Sequence, residues 1–207
     1  MSPRLVPVPP LLPQRGNAFS KGLGLFMLWL LGWRIRGTLP NVRQAVAIVA
    51  PHTSNYDGLL TVASMLALGL RISFFVKHSA FRWPVAGLMR WFGALPVNRG
   101  DNRDLVAFSA GKFAEKPELM VAIAPEGTRH AAESWKSGFY WIAHRAGVPI
   151  LPVAFDYARR EIIILDSLQP SGDLERDMPA LLQRYRGITP AHPNRLSKPL
   201  RDLPPPG

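Results

Sequence analysis

Runs of consecutive apolar residues alternate along the chain with segments in which apolar residues recur every three or four positions. The first pattern is typical of buried strands and the second of helices. The runs predict strands at Ala45–Ala50, Ile72–Val76, Ala94–Asn98, Leu119–Ala124, Ile150–Phe155 and Glu161–Leu165. The spaced segments predict helices at Leu23–Leu31, Gly58–Leu68, Trp83–Trp91, Arg103–Ala114, Lys136–Ala146 and Leu174–Arg186. This alternation predicts an α/β fold, with a mixed and mostly buried sheet flanked by helices.

Prolines mark both ends of the chain and set the predicted domain boundaries. Residues 1–16 carry five prolines and are predicted to form an extended, poorly ordered tail. Residues 17–188 form a single predicted domain. Residues 189–207 are rich in proline and basic side chains, so they cannot form a long helix. This second tail either wraps the domain or hangs free.

The longest uncharged segment near the amino end is Gly22–Trp33, which Lys21 and Arg34 bracket. It is shorter than the roughly 20 apolar residues that a membrane-spanning helix needs. Tryptophans and flanking cations suit a helix that lies in the plane of the lipid head groups. The alternative is an apolar core helix of the domain. The sequence leaves both open.

A basic surface and the absence of cysteine limit the partners and the chemistry. The chain has 25 Lys and Arg against 14 Asp and Glu, a net charge of +11. Such a surface attracts anionic lipid, nucleic acid or acidic substrates. No nucleic-acid recognition motif accompanies the charge, so we predict an anionic membrane surface and no nucleic acid as partner. Without cysteine there is no disulfide and no thiolate nucleophile.

His52 and Asp57 follow the first predicted strand and offer general-base chemistry. A neutral imidazole is a good base near pH 7 when a carboxylate orients it and stabilises the imidazolium. We place His52 on a strand-to-helix turn and Asp57 at the helix start, where the dipole favours an ionised carboxylate. The alternative is that Asp57 only caps the helix. The five histidines lack metal-ligand spacing, so no metal is predicted.

Glu126, Gly127, Thr128 and Arg129 follow another apolar strand and suit anion binding. Glycine lets backbone N–H groups approach a ligand closely. The arginine can hold a phosphate through two N–H groups, and Glu126 can hold an acceptor hydroxyl or orient that arginine. The alternative is a surface turn with a solvated ion pair.

Two further cations follow predicted strands. Arg99 ends the segment that begins at Gly93, and Lys77 follows the strand Ile72–Val76. Because ligands bind beyond the carboxyl ends of strands in α/β folds, both are predicted substrate ligands. The alternative for Lys77 is an ordinary exposed lysine. Lys136, at the start of a predicted helix, is a further candidate contact for a charged head group.

With these residues assembled, the chain resembles the phospholipid/glycerol acyltransferase family. His52–Asp57 matches the family's His-x4-Asp motif, and Pro125–Arg129 matches its Pro-Glu-Gly-Thr-Arg block residue by residue. Gly93–Arg99 resembles its second motif, and Val148–Val153 matches its Val-Pro-Ile-x-Pro-Val segment. Their order and spacing cover about residues 45–155. The motifs together are far more specific than any one of them.

The resemblance implies an enzyme with a glycerolipid acyltransferase-like fold. It implies acyl transfer from acyl-CoA or acyl-carrier protein to a hydroxyl of a glycerol-phosphate-type lysolipid such as lysophosphatidate. His52 and Asp57 would be catalytic, the cationic side chains would bind the acceptor, and no cofactor would be needed. The implied location is peripheral, on the cytoplasmic side of the membrane.

Two departures bear on the acceptor. Many members have Asn where this chain has Pro51, and many have Ser where it has His130. The form found here resembles a compact bacterial branch of the family. Another lysolipid, such as a lyso-ornithine lipid, and CoA-independent transacylation are therefore alternatives. A non-catalytic basic membrane-binding module is the alternative of another class.

Overall fold

The computed structural model describes residues 6–77, 87, 93–97 and 102–205. Its strands are β1 (Arg34–Gly37), β2 (Gln44–Val49), β3 (Ile72–Lys77), β4 (Ala94–Val97), β5 (Leu119–Ile123), β6 (Ile150–Asp156) and β7 (Glu161–Ile164). Its helices are α1 (Ala18–Leu31), α2 (Tyr56–Leu68), α3 (Asn102–Glu115), α4 (Gly138–Ala146), α5 (Leu174–Gln183) and the short α6 (Lys198–Arg201), with a 3-10 turn at Pro193–Arg195. The helix predicted at Trp83–Trp91 lies outside the described residues, apart from Gly87.

The strands form one seven-stranded sheet in the order β1-β7-β6-β2-β5-β3-β4. Neighbouring strands are parallel except for β6 and β7, which pair antiparallel. The predicted mixed α/β sheet is therefore confirmed. Because β2, β5, β6 and β3 run in the same direction, their carboxyl ends meet at one edge of the sheet. That edge carries His52, Asp57, Lys77 and the loop from Glu126 to Arg129.

Strand β1 was not predicted, because its four residues carry two arginines and no apolar run. It pairs with β7 at the end of the sheet, and on its other side no strand of the described residues adjoins it. Only Ile35 is buried, at 2% exposure, while Arg34 and Arg36 are exposed. A short edge strand with charged residues needs little hydrophobic signal, and such strands discourage pairing with other chains.

Helices cover both faces of the sheet, which explains the continuous apolar runs of its central strands. In β2, Val46 and Ile48 pack in a cluster with α4 and α5. Ala45 and Ala47 point to the other face and pack in a cluster with α1 and α2. Side chains alternate between faces along a strand, so both sets of positions must be apolar here.

Helices α1 and α2 pack closely in antiparallel orientation. A Cβ atom added at Gly24 of α1 would lie 2.2 Å from the backbone nitrogen of Ala67 in α2. Farther along, Lys21 lies beside Gly69, which follows the end of α2. The last turn of α1 therefore lies near the first turn of α2, where Asp57 is located.

The interpretation of α1 as a core helix holds for one of its faces, and its docking on a membrane surface stays a prediction. Leu28 is fully buried against α2, as in a core helix. The opposite face exposes large apolar side chains, which belong to Phe19, Leu23, Phe26, Trp29 and Leu30. In the part of the chain that the structure describes, no helix combines the length and the apolar character needed to cross a membrane.

Both proline-rich ends contact the domain where they are described. Residues 6–16 differ from the predicted poorly ordered tail: Leu12 is 2% exposed, and the backbone N–H of Arg15 donates to Gly69 O at 2.7 Å. Residues 189–201, here called the C-terminal strap, wrap the domain. The backbone N–H of Lys198 in the strap donates to Ala132 O at 2.8 Å.

Candidate active site

The turn between β2 and α2 brings His52 beside Asp57. Nδ1 of His52 lies 3.1 Å from Oδ2 of Asp57. The imidazole is 23% exposed, whereas the Asp57 side chain is 1% exposed. The turn therefore places a partly accessible imidazole against a buried carboxylate, in the positions predicted from the sequence.

Asp57 organises the turn rather than capping the helix. Its Oδ2 accepts hydrogen bonds from the backbone N–H groups of Thr53 and Ser54, both at 3.0 Å. These residues precede α2, whereas a cap would accept from N–H groups inside the helix. The alternative reading of Asp57 as a helix cap is therefore wrong.

Two turn hydroxyls have different roles. Ser54 Oγ accepts from the backbone N–H of Tyr56 at 3.1 Å, a local bond typical of a turn-forming residue. Thr53 Oγ1 instead accepts from the backbone N–H of His192 at 3.3 Å. The difference arises because the strap passes next to the turn.

Tyr157 is a third member of the site that the sequence did not single out. It follows β6, the strand beside β2, and its hydroxyl donates to Oδ1 of Asp57 at 2.5 Å. Burial, together with the hydrogen bond and the charge of Asp57, raises the pKa of Tyr157, so the phenol remains a donor. The signal in the sequence was its position directly after an apolar strand whose neighbour carries His52.

Glu126 joins the loop that follows β5 to the turn that carries His52 and Asp57. It is 4% exposed, and its Oε2 accepts from the backbone N–H of His52 at 2.6 Å. Its Oε1 accepts from the hydroxyl of Ser197 at 2.9 Å. Burial raises the pKa of Glu126, and the hydrogen bonds from His52 and Ser197 oppose that rise. Since both oxygens have protein partners, Glu126 holds the turn, and its predicted contact with substrate stays a prediction.

The rest of the loop after β5 carries Gly127, Thr128 and the cation Arg129. Gly127 has a φ of 66°, in the left-handed region that glycine adopts readily. The end of the Lys136 side chain lies against it, since a Cβ atom added at Gly127 would lie 3.0 Å from Nζ of Lys136. Thr128 Oγ1 accepts from the backbone N–H of His130 at 3.2 Å, so it stabilises the loop. Arg129 is exposed on the same loop, three residues beyond Glu126.

Lys77 and Arg99 are the two other predicted cations. Lys77 is the last residue of β3, at the same edge of the sheet as His52. Arg99 lies outside the described residues. Within the described part of the chain, no group of three or more His, Asp or Glu side chains is placed to hold a metal ion. The predicted absence of a metal stays a prediction.

An apolar pocket lies between the sheet and α2, on the α1 side of the sheet. Val49 and Ala122, near the carboxyl ends of β2 and β5, contribute to its wall, and so does Val153 of β6, which pairs with Val49. Thr61 and Met65 of α2 line it as well. Thr61 also donates its hydroxyl to the backbone oxygen of Asp57 at 2.7 Å. The pocket therefore begins one helical turn from the carboxylate that orients His52.

Comparison with known proteins identifies the family. Residues 34–156, more than half of the chain, match the acyltransferase family. The chain therefore belongs to the acyltransferase family, as its motifs predicted. The matched region contains His52, Asp57, Glu126 and Arg129, and it ends one residue before Tyr157.

Curated relatives carry more specific names. The 1-acyl-sn-glycerol-3-phosphate acyltransferase BAT2 of Brassica napus is 32% identical over 107 residues, 49% of this chain and 31% of that protein. LPAT1 of Arabidopsis thaliana, with the same enzyme name, is 30% identical over 109 residues, 50% of this chain and 31% of that protein. Both are described as chloroplastic. The chain spans about a third of the length of these relatives.

A solved structure shares the fold. The 1-acyl-sn-glycerophosphate acyltransferase PlsC from Thermotoga maritima superposes with a TM-score of 0.54 and 19% sequence identity. The match covers 75% of this chain and 69% of that one. At this identity the match shows the fold alone, and it agrees with the sheet and the helices described above.

Proposed function

We propose that the protein is a glycerolipid O-acyltransferase. It moves a fatty acyl group from an acyl-CoA or acyl-carrier-protein thioester to a hydroxyl of a glycerol-phosphate-type lysolipid such as lysophosphatidate. The observation that carries this proposal is the contact between His52 and a buried Asp57 beside a loop that bears Arg129. Family membership and the enzyme names of the relatives support it.

His52 acts as the general base. With the Nδ1 proton directed at Asp57, the other ring nitrogen, Nε2, has the free lone pair. It takes the proton of the acceptor hydroxyl while that oxygen attacks the thioester carbonyl carbon. The tetrahedral intermediate then expels the thiolate, which receives the proton from the imidazolium. The new ester bond replaces the thioester bond, and Asp57 stabilises the imidazolium between the two proton transfers.

Arg129 and Lys136 bind the acceptor phosphate. Both are exposed, and Lys136 packs on Gly127 within the loop that holds Arg129. A guanidinium binds phosphate oxygens in a bidentate manner, and an ammonium adds a point charge. Glu126 ties this loop to the backbone of His52, so a phosphate bound here lies close to the base. Arg99, Lys77 and the remaining loop residues stay predicted ligands.

The acyl chain of the donor enters the apolar pocket beside α2. The pocket wall consists almost entirely of apolar side chains, and it begins one helical turn from Asp57. A thioester carbonyl near His52 would leave the hydrocarbon chain directed into this pocket. Burial of each methylene there contributes about 0.8 kcal/mol. No cofactor takes part in this scheme.

The exposed apolar face of α1 docks on an anionic membrane. Trp29 and Leu30 are 56% and 65% exposed, and they lie near the end of α1 that approaches the first turn of α2. A net charge of +11 attracts anionic head groups to the surrounding surface. Peripheral docking of this face would bring the site to the membrane surface, where lysolipids reside. The cytoplasmic side stays a prediction.

The direct test supplies the purified protein with defined donors and acceptors. Acyl-CoA and acyl-carrier-protein thioesters of several chain lengths are combined with lysophosphatidate, other lysophospholipids and a lyso-ornithine lipid, and products are identified by mass spectrometry. We expect acylation of lysophosphatidate. His52→Ala and Asp57→Asn lower turnover by about 10²- to 10⁴-fold and keep a cooperative thermal transition.

Each other outcome has a definite meaning. Transfer to a different lysolipid alone would replace the proposed acceptor, and transfer from a phospholipid without thioester would indicate transacylation. Unchanged turnover in His52→Ala would exclude the base role. Absence of transfer with every pair, together with intact vesicle binding, would favour a non-catalytic membrane-binding module.

A further inference from the structure

A chain of hydrogen bonds connects the C-terminal strap to the catalytic turn. Nε1–H of Trp135 donates to Ser197 Oγ at 3.1 Å, and the Ser197 hydroxyl donates to Glu126 Oε1 at 2.9 Å. The other carboxylate oxygen, Oε2, accepts from the backbone N–H of His52 at 2.6 Å. The side chains of Trp135, Ser197 and Glu126 all belong to buried residues, at 8%, 0% and 4% exposure. This series of hydrogen bonds therefore runs through the interior of the protein.

The strap contacts the turn at a second place. The backbone N–H of His192 donates to Thr53 Oγ1, and Nη1 of Arg195 donates to Thr53 O, both at 3.3 Å. Thr53 is the residue after His52. The strap therefore contacts the catalytic turn directly at Thr53 and indirectly through Ser197. It lies outside residues 34–156, the region that matches the family.

A hydroxyl is required at position 197 to connect Trp135 to Glu126 by hydrogen bonds. Serine offers one donor and two acceptor lone pairs, so it can accept from the indole and donate to the carboxylate at once. Alanine can do neither, and among the described residues Glu126 would keep only His52 as its hydrogen-bond partner. Burial already raises the pKa of Glu126, and the Ser197 hydrogen bond is one of the contacts that oppose this rise. A buried carboxylate without that contact is a weaker anchor for the backbone of His52.

We propose that Ser197 is a positioning residue for acyl transfer. Its hydroxyl fixes the carboxylate of Glu126, and that carboxylate fixes the backbone of His52 relative to Asp57 and the acceptor hydroxyl. This inference rests on the proposed role of His52 as the base. Ser197 does not contact the substrate, so its effect falls on the chemical step and not on binding.

The test compares variants at position 197 in the full chain. We expect Ser197→Ala to lower kcat at least about tenfold, while KM for donor and acceptor changes less than about twofold. Ser197→Thr keeps the hydroxyl and restores most of the turnover. Lys198→Ala, an exposed neighbour in the strap, is the control and keeps the wild-type kcat. Thermal unfolding of every variant verifies that the fold is present.

The outcomes separate this inference from the proposed function. An active wild type with equal kcat in Ser197→Ala would overturn the positioning role and leave the function in place. Equal losses in Ser197→Ala and Ser197→Thr would assign the effect to packing, and a change confined to KM would assign it to binding; both overturn the role. Failure of the wild type to transfer any acyl group would overturn the proposed function itself.

Discussion

The phenolic hydroxyl of Tyr157 donates a hydrogen bond of 2.5 Å to Oδ1 of Asp57. The other oxygen of this carboxylate, Oδ2, accepts from the backbone N–H groups of Thr53 and Ser54 and faces the ring of His52. Both oxygens of Asp57 are thus held by neighbouring groups. A carboxylate fixed in this way holds the imidazole in one orientation, which general-base catalysis requires.

Tyr157→Phe tests the importance of this contact. The substitution leaves Oδ1 of a buried carboxylate without the phenolic hydrogen bond, at a cost of about 1–3 kcal/mol. We therefore expect a lower free energy of unfolding in urea. We also expect kcat to fall by about tenfold or more, with a smaller change in KM, because each 1.4 kcal/mol in the barrier is about a factor of ten.

Tyr56→Phe is the matched control for this prediction. Its ring lies 6.4 Å from the ring of Tyr157, and its hydroxyl is not among the partners of Asp57. It should keep the wild-type kcat. If the two variants had equal kcat values, the hydroxyl of Tyr157 would have no special part in orienting Asp57.

The local half of the site could be predicted from the sequence, whereas its distant partners could not. His52 and Asp57 are five residues apart, so a single strand-to-helix turn brings them together. Tyr157 lies 100 residues from Asp57, and Ser197 lies 71 residues from Glu126. Those contacts depend on the order of the strands and the path of the strap, which no local pattern encodes.

For the fold too, some elements could be predicted from local sequence patterns and others could not. Continuous apolar runs predicted the central strands because burial on both faces demands apolar residues at every position. Strand β1 could not be predicted in this way, because Ile35 is its only buried residue. Residues 6–16 contain prolines typical of disorder, but Leu12 packs in the hydrophobic cluster beside α1 and α2. Whether a proline-rich segment binds to the domain depends on the apolar surface that the rest of the fold offers, and the segment's own sequence does not show this.

Gly24 is predicted to be essential for the packing of α1 on α2. A Cβ atom at this position would lie 2.2 Å from the backbone nitrogen of Ala67, so the helices would have to move apart. We expect Gly24→Ala to lower the free energy of unfolding by about 1–3 kcal/mol. Gly22→Ala in the same helix meets no atom within 4 Å and should raise it by up to about 1 kcal/mol. Urea unfolding that shows the same sign for both would contradict the close contact.

The apolar face of α1 leads to a prediction about vesicle binding. Phe26 and Trp29 are 55% and 56% exposed. Transfer of such a side chain from water into lipid contributes about 1.5–3 kcal/mol, so Phe26→Ser and Trp29→Ser should each weaken binding about tenfold or more. Co-sedimentation with phosphatidylglycerol vesicles measures this, and added salt should weaken binding further.

Phe108 provides the control for the membrane prediction. It is 42% exposed but lies on α3 rather than on α1. Phe108→Ser should bind vesicles as the wild type does. A loss as large as that of Trp29→Ser would mean that any exposed aromatic residue contributes, and the docking face would not be α1.

Arg129 should control the affinity for the acceptor phosphate. Loss of charge-assisted hydrogen bonds costs about 1.5–3 kcal/mol, so Arg129→Ala should raise KM for lysophosphatidate about tenfold to a hundredfold. Arg129→Lys keeps the charge and should show a smaller rise. Arg145→Ala, an exposed arginine near the end of α4, should leave KM unchanged. A fall in kcat alone would refute the assignment of Arg129 to the phosphate.

Glu126 gives a pH-dependent prediction for stability. Burial raises its pKa in the folded protein above the ordinary value of 4.5. Between the two pKa values the folded state binds more protons than the unfolded state, so the contribution of Glu126 to stability declines as pH rises. That contribution is greatest below about pH 4.5. Glutamine at this position does not titrate.

The unfolding free energy of the wild type minus that of Glu126→Gln should therefore decrease as pH rises from below 4.5 through the raised pKa, and then level off. Urea unfolding at a series of pH values measures this difference and cancels the titration of groups common to both proteins. Glu133 is an exposed glutamate, and Glu133→Gln serves as the control. Two results would contradict this prediction: an unfolding free-energy difference for Glu126→Gln that rises with pH, or one that follows the same course as the difference for Glu133→Gln. Either would show that the pKa of the Glu126 carboxyl group is not raised in the folded protein.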